Sequence, residues 1–581
     1  MRYMSRVLIG ASVLLLFGCG NPDPSATGGP LAMRRLTGEQ YRNAIEDAFG
    51  RQVEVAGRFE PDNRQEGLNA LGASRVSVTR SGFEQYEARA RSIAAQATSP
   101  ELRVDILPCE PQSATAPDHA CVTQTISELG RILLRRPLAE EDIELRAQVA
   151  SRVAEEQQDY YAGLQLALAS LMIAPDFLFR VEVAEPAPLP DQPDRLQLTN
   201  LSLASKLSYF LWNRGPDETL LAAAERGELS KPEGLAREVN RMVASEHIAT
   251  GISAFFEDVF VFDQFDALSK DVAQYPLFNS RMAADAREQT LRFVVDQLVT
   301  QNADYRSLFT SNELPLTRSL GPIYGIPVRA VDGWENATLP ANQSRSGLLS
   351  HASFAMLHSH PGRSSPTLRG VFMREALLCQ TVPEAPADID FTQFTQDVAV
   401  VHNTARDRLA MHATAASCRK CHALTDPIGL GLESFDGIGK FRLAENESTI
   451  YTSGDFDGAA FSNAAELGQA FAESPLVSAC LVESLYRYAV GRKHTNGERR
   501  LLRYLEDTFA QQGYRVPALM VDIATSEAFR TATAPSPEAP MARAVKQKRI
   551  HTNTNTNTNT NTNAQRDNSR ASLIVGKRQS I

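Results

Sequence analysis

Cys418-Arg419-Lys420-Cys421-His422 is the one short run in this chain whose residue types and spacing specify a reaction centre. Two thiols two residues apart reach the two vinyl groups of one porphyrin, and the histidine that follows sits under the iron as proximal ligand. The expected cofactor is therefore a single haem c. A structural zinc site needs four ligands, and neither a second Cys-x-x-Cys nor a His-x-x-x-His pair accompanies the motif. The competing reading is a redox Cys-x-x-Cys that happens to precede a histidine.

The sixth position on such an iron has several claimants. His351, His358, His360 and Met356 lie upstream, with Met373, Met411 and His412 nearer the motif and Met520 downstream. His351 is taken as the distal ligand. His412 stands six residues before Cys418 and would still have to reach the opposite haem face. Met520, among Leu519, Val521 and Ile523, reads equally well as core. Asp426, Glu433 and Asp436 follow the motif closely. Asp426-Pro427 and Asp436-Gly437 read as turns ahead of acid–base or calcium chemistry. Lys440 and Arg442 could neutralise haem propionates, and Arg135 and Arg136 read as ion-pairing residues between domains. No Ser-His-Asp arrangement, phosphate loop or nucleotide fingerprint stands out, so the catalytic residues stay unassigned.

The N-terminus says where the chain goes. Arg2 and Arg6 precede an apolar run over 7–17 that is too short to span a bilayer. It ends in Leu16-Phe17-Gly18-Cys19, which resembles a bacterial lipobox with Cys19 as the lipidated first residue of the mature protein. Plain secretion with an incidental cysteine is the alternative. Gly20 in place of aspartate points to the outer membrane, and 20–30 is a polar tether without core-forming residues. Haem is attached to cytochromes c outside the cytoplasm, so the leader and the motif support each other.

Seven cysteines, less Cys19 and the two haem thiols, leave Cys109, Cys121, Cys379 and Cys480. An even remainder in an oxidising compartment suggests two disulfides. Three pairings are open. Cys109–Cys121 is favoured because it closes a short polar loop, and Cys379–Cys480 then follows by elimination, with buried thiols as its alternative.

The elements that must position these groups are helical nearly throughout. Leu36, Tyr41, Ile45 and Phe49 form a stripe at helical spacing, with Thr37 as N-cap and Gly50 at the end. Ile126, Leu129 and Leu133 repeat the pattern up to Pro137, and further helices are expected over 164–173, 201–212, 290–298 and 482–490. Strands are expected only near 323–331 and 451–461. Pro186, Pro188, Pro190 and Pro193 read as a stiff connector, and 383–386 as a second break. The Thr-Asn repeat over 552–563 belongs to a polar low-complexity tail. A hydrophobic fraction of 43% with 22% charged residues is that of a globular chain, and 581 residues suffice for several domains. A net charge of −10 argues against a nucleic-acid partner.

In this order the segments resemble an exported planctomycete-type family built from five consecutive domains of unknown function, 1587, 1595, 1592, 1588 and 1585. Arg34-Arg35-Leu36-Thr37 with Gln40-Tyr41-Arg42-Asn43 resembles the first, and Leu134-Arg135-Arg136-Pro137-Leu138 the second. Pro175-Asp176-Phe177-Leu178-Phe179-Arg180 with Lys206-Leu207-Ser208-Tyr209-Phe210-Leu211-Trp212 resembles the third. Arg345-Ser346-Gly347-Leu348-Leu349-Ser350-His351 and Ser365-Pro366-Thr367-Leu368-Arg369-Gly370 resemble the fourth. The fifth is read from the haem motif through Tyr488-Ala489-Val490-Gly491-Arg492. The expected architecture is a mainly α, multi-domain helical protein with a C-terminal cytochrome-c-like haem region. Its divisions are 1–19 signal peptide, 20–30 tether, 31–105, 106–185 and 186–335 helical domains, 336–390 the fourth-domain segment, 391–533 the haem domain and 534–581 the tail. The resemblance implies an exported, cytochrome-like character and no reaction.

The expected function is electron transfer by a membrane-anchored mono-haem cytochrome at the periplasmic or outer face of the outer membrane, with a redox protein as partner. A haem-dependent oxidoreductase acting on peroxide or oxygen is the second reading, separated by whether the sixth position is filled. A polymer-binding surface lipoprotein is the third, and with Trp212 and Trp334 as the only tryptophans it lacks an aromatic binding strip.

Overall fold

The computed structural model describes residues 24–534, apart from 27, 76, 191, 384–403 and 413–415. Cys19, the leader and the low-complexity tail lie outside the described residues. The rest is mainly helical, with small two- and three-stranded sheets between the helices.

Local chemistry fixes the first helix as its sequence suggests. Gly38–Phe49 opens on a capping box in which the Thr37 side chain accepts from Gln40 N while the Gln40 side chain accepts from Thr37 N. It ends at Gly50, whose N–H donates to Glu46 O. Its buried face (Tyr41, Ala44, Ile45, Ala48 and Phe49) enters an N-terminal core with helices His119–Leu134 and Tyr160–Met172. Helices Asn200–Leu211 and Pro475–Val490 belong to a second, larger core that runs from Ala26 to Ala532. Residues far apart in sequence thus share one interior, and buried polar anchors join them. Arg34 Nη2 donates to Val490 O at 3.0 Å and to Glu182 Oε1 at 3.2 Å, and Lys206 Nζ lies 3.1 Å from the same carboxylate oxygen.

Several elements differ from the sequence reading. The proline-rich stretch is no free connector: Ala184–Leu189 and Gln192–Leu198 pair as antiparallel strands, and Thr531–Thr533 adds to the second of them. Pro186 and Pro188 occupy the edge strand, where a missing N–H leaves no outer ladder bond unmade. Region 323–331 is not a strand. Pro322 opens the short helix Gly321–Tyr324, and the strands Glu313–Leu316 and Glu335–Thr338 flank it. Among the described residues Arg135 makes no ion pair. Its guanidinium donates instead to backbone carbonyls, among them Phe177 O at 3.3 Å and Phe179 O at 2.9 Å, while Arg136 pairs with Asp176. The structure joins Cys109 to Cys121 and Cys379 to Cys480.

The element that carries the motif, Ala416–Leu430, lies against helix Pro366–Phe372 with backbones in contact. A methyl group on Gly370 would overlap Thr425 O, and one on Gly429 would overlap Pro366 O. Only glycine permits this approach. Gly429→Ala should therefore destabilise the protein by roughly 1–3 kcal/mol, as overpacking between two rigid backbones does. Urea denaturation of the variant beside the parent chain measures it, and an unchanged midpoint would show that the helices can separate freely.

Candidate haem-attachment site

Cys418, Cys421 and His422 share one helix, so their spacing of three and four residues places them on one side of it. Cys418 and Cys421 are thiols outside the two disulfides, and both are half-buried. Burial, with Asp426 and Glu375 nearby, pushes the Cys421 thiol up from its ordinary range.

His422 is held from below. Its Nδ1 lies 2.8 Å from Asp426 Oδ2, one helical turn further on. That hydrogen bond raises the imidazole pKa even though burial opposes it. Asp426 is in turn fixed through its other oxygen, which accepts from Thr367 Oγ1 at 2.9 Å and Thr425 Oγ1 at 3.2 Å. Thr367 belongs to helix Pro366–Phe372, so the glycine-mediated contact also aligns the carboxylate that orients the ring. The turn expected at Asp426-Pro427 is replaced by continuous helix, with Pro427 inside it. Sequence reasoning passed over Asp426 as an orienting group, although its spacing of four from His422 was the available signal.

These residues fit a haem. Two thiols would make the thioether links and the imidazole would ligate the iron, and ligating histidines are commonly oriented by a carboxylate such as Asp426. Among the described residues no group of three or more His, Cys, Asp and Glu side chains is gathered closely enough to hold a metal ion by itself.

The remaining carboxylates are structural. Glu433 accepts from Arg369 Nη1 at 3.2 Å, Arg442 Nη2 at 3.0 Å and Ser364 Oγ at 2.7 Å. Arg442 is thus engaged by Glu433. Asp436 Oδ1 accepts from Ile438 N and Lys440 N, each at 2.9 Å, and closes a turn.

His351 sits elsewhere, in packing. It is 1% exposed, its Nδ1 lies 3.0 Å from Thr290 Oγ1, and its ring meets Phe293 edge-on at 4.7 Å. It borders a void of about 10 Å³, room for a single water. Thr290 Oγ1 also meets Ser353 Oγ at 2.7 Å, so His351 is part of a buried polar group of three side chains. Met356, Met373 and Met520 are likewise fully buried, while the side chains of Met411 and His412 lie outside the described residues.

Five family models match in series, each described as a protein of unknown function: DUF1587 over 34–99, DUF1595 over 121–182, DUF1592 over 198–326, DUF1588 over 345–445 and DUF1585 over 457–529. The chain belongs to the planctomycete-type multidomain family with this arrangement. The Cys-x-x-Cys-His motif lies inside the fourth match, not the fifth, so the division expected at residue 391 cuts through one matched domain. The helices Pro366–Phe372 and Ala416–Leu430 that pack on each other both belong to that domain. No curated protein and no solved structure matches the chain.

Burial, helped by the Arg345 charge, pushes the His351 pKa down to about 3. An unfolded histidine titrates near about 6.5. The unfolded chain therefore takes up the proton first, and the stability carried by the neutral ring is whole above about pH 6.5 and lost as the pH falls towards 3. Each pH unit in that window costs about 1.4 kcal/mol. His351→Leu should flatten the acid limb of a stability–pH curve by about that slope while leaving the visible spectrum of haem-loaded protein unchanged. A change to a high-spin spectrum would instead make His351 an iron ligand.

Proposed function

We propose that this chain carries one haem c, bound through Cys418 and Cys421 with His422 as proximal ligand, and transfers electrons outside the cytoplasm. The observation that carries the reading is the His422–Asp426 hydrogen bond at 2.8 Å within the Cys-x-x-Cys-His helix. A carboxylate held against a ring nitrogen is the usual way a ligating histidine is oriented. The printed name of the matching fourth-domain model, PSCyt3, is cytochrome-like and supports the same reading.

Haem, when bound, supplies a one-electron iron couple. The chain's own residues do the rest. Cys418 and Cys421 would tie the macrocycle to the helix, and His422 would present Nε2. Asp426, itself braced by Thr367, would hold the proton on Nδ1 and make the imidazole a more basic ligand. Removing that carboxylate should make the ferrous state easier to reach. Asp426→Asn is expected to raise the midpoint potential by about 60 mV, tenfold in a one-electron equilibrium.

The same bond favours a second reading. A basic, electron-rich proximal ligand suits oxygen or peroxide chemistry when the sixth position is open. Protein matured in a host competent for c-type haem attachment separates the two. Electron transfer requires a six-coordinate low-spin iron, slow with peroxide and closed to carbon monoxide; a high-spin iron that binds carbon monoxide and turns over peroxide makes the protein an oxidoreductase. In either case denatured protein should retain its haem, and Cys421→Ser should lose that retention. A colourless wild-type protein from such a host would end both readings.

For location we propose an outer-membrane lipoprotein anchored through Cys19, with a redox protein as partner. In this reading the acyl chain on Cys19 is the anchor; among the described residues no helix is long and apolar enough to cross a membrane. Cys19→Ala should move the protein out of the membrane fraction or leave it unprocessed, as fractionation and intact mass will show.

A further inference from the structure

The stretch 20–30, expected as a tether, is fixed to the body of the protein from residue 24 onward. Ser25 Oγ accepts from Arg195 Nη2 at 3.1 Å, and Ala26 is buried in the larger core. Gly29 O accepts from Thr533 N at 2.8 Å, and Gly28 O from Thr533 Oγ1. A methyl group on Gly28 would overlap Thr531 O, so the chain lies directly on the edge strand Thr531–Thr533. Pro24 stands five residues after Cys19, and a fully extended chain of that length spans at most about 18 Å. An acyl group on Cys19 would therefore hold the part of the molecule around Pro24 close to the lipid surface.

Beside that entry point lies an aliphatic face. Strands Met33–Arg35 and Phe179–Val181 pair antiparallel, with Met33 opposite Val181. Glu182 N donates to Ala32 O at 2.9 Å, which carries the pairing one residue further. Side chains alternate along such a ribbon, so Leu31, Met33, Val181 and Val183 share one face. They are 41%, 54%, 46% and 51% exposed. Arg34 and Glu182 belong to the other face, where the buried Arg34 donates to Val490 O and to Glu182. The ribbon thus turns its aliphatic side chains outward and its charged ones inward, the reverse of a strand pair that faces water. Single exposed aliphatic residues are ordinary, but four on one face mark an interaction surface.

The entry point and the ribbon are neighbours. Arg195 meets Ser25, and Thr199 N donates to Val183 O at 2.9 Å. These two residues stand four apart, in strand Gln192–Leu198 and just beyond its end, about 13 Å along its axis. The apolar phase within reach of a five-residue link is the bilayer itself.

We propose that the face formed by Leu31, Met33, Val181 and Val183 rests in the headgroup–acyl boundary of the membrane that holds Cys19. It is a second membrane contact, and it fixes how the protein lies on the lipid where an acyl chain alone would let it swivel. The proposal rests on the lipoprotein reading of Cys19. Aliphatic side chains strengthen membrane attachment in proportion to the apolar area they bury, and these four carry no charge to desolvate.

Full-length protein, processed in a host that acylates lipoproteins and reconstituted in vesicles of phosphatidylethanolamine and phosphatidylglycerol, tests it. Intact mass first reads the anchor. With a photoactivatable diazirine in the lipid acyl chains, irradiation should label the tryptic peptide 181–195, which carries Val181 and Val183 and is far from Cys19 in sequence. Chloramine-T, an oxidant that stays in water, should convert Met33 to its sulfoxide at least about tenfold more slowly than in Leu31→Glu/Val183→Glu protein on the same vesicles. Two carboxylates would lift the ribbon out of the apolar layer. Both substitutions fall at exposed positions, and the diazirine label needs no variant to fold. An unmodified Cys19 would remove the lipoprotein reading and this proposal with it. An acylated Cys19 with no label on 181–195, or with Met33 oxidised equally fast in both proteins, would overturn the proposal and leave the anchor standing. Slow oxidation of Met33 without lipid label would place a second copy or another segment of the chain on the ribbon, which overturns it as well.

Discussion

The helix that bears the Cys-x-x-Cys-His motif can lie where it does only because two glycines let it touch a neighbouring backbone. Gly370 and Gly429 remove the side chains that would hold helices Pro366–Phe372 and Ala416–Leu430 apart. At that separation Thr367 reaches Asp426, and Asp426 reaches His422. Side-chain hydrogen bonds act over less than one atomic layer, so a wider crossing would leave the imidazole unoriented.

Around this contact the polar interior is closed by arginines whose partners are mostly backbone carbonyls. Arg369 joins Leu432 O, Asp436 O and Glu433, spanning the segment that follows the motif helix. Arg34 reaches the end of helix Pro475–Val490 from the other extreme of the chain. A planar guanidinium can satisfy several carbonyls at fixed angles, which an ammonium cannot. Such bonds position the loops between helices, where no ladder of backbone hydrogen bonds can do so. They also bind the five matched domains into shared cores, so the domain series describes sequence matches and not separately packed bodies.

For the proposed haem, the chemistry turns on the second sphere. A carboxylate behind a proximal imidazole makes the ligand more basic than a carbonyl would, and this lowers the potential whichever reaction follows. The proposal of electron transfer and its oxidoreductase alternative therefore share every residue on the proximal side. They part on the distal side, and His351, engaged with Thr290 and Phe293, is occupied in packing.

Much was legible in the residues themselves. The first helix with its Thr37 cap, the break at Pro137, the helix before Pro175 and the family arrangement all rest on local signals: caps, helical periodicity and proline. The Cys-x-x-Cys-His spacing is local too, because three and four residues along one helix fix its geometry in advance. Other points needed the folded chain. Nothing in the spacing of Pro186 to Pro193 shows that Thr531–Thr533 pairs beside them, since strand pairing over hundreds of residues leaves no periodic trace. Which histidine packs and which ligates depends on what surrounds each ring, and a sequence records neighbours along the chain only. Asp426-Pro427 reads as a turn from its residue types, and in the folded chain it lies within the continuous helix Ala416–Leu430. Periodicity and spacing specify elements and the groups upon them; contact between elements decides which of those groups can act together.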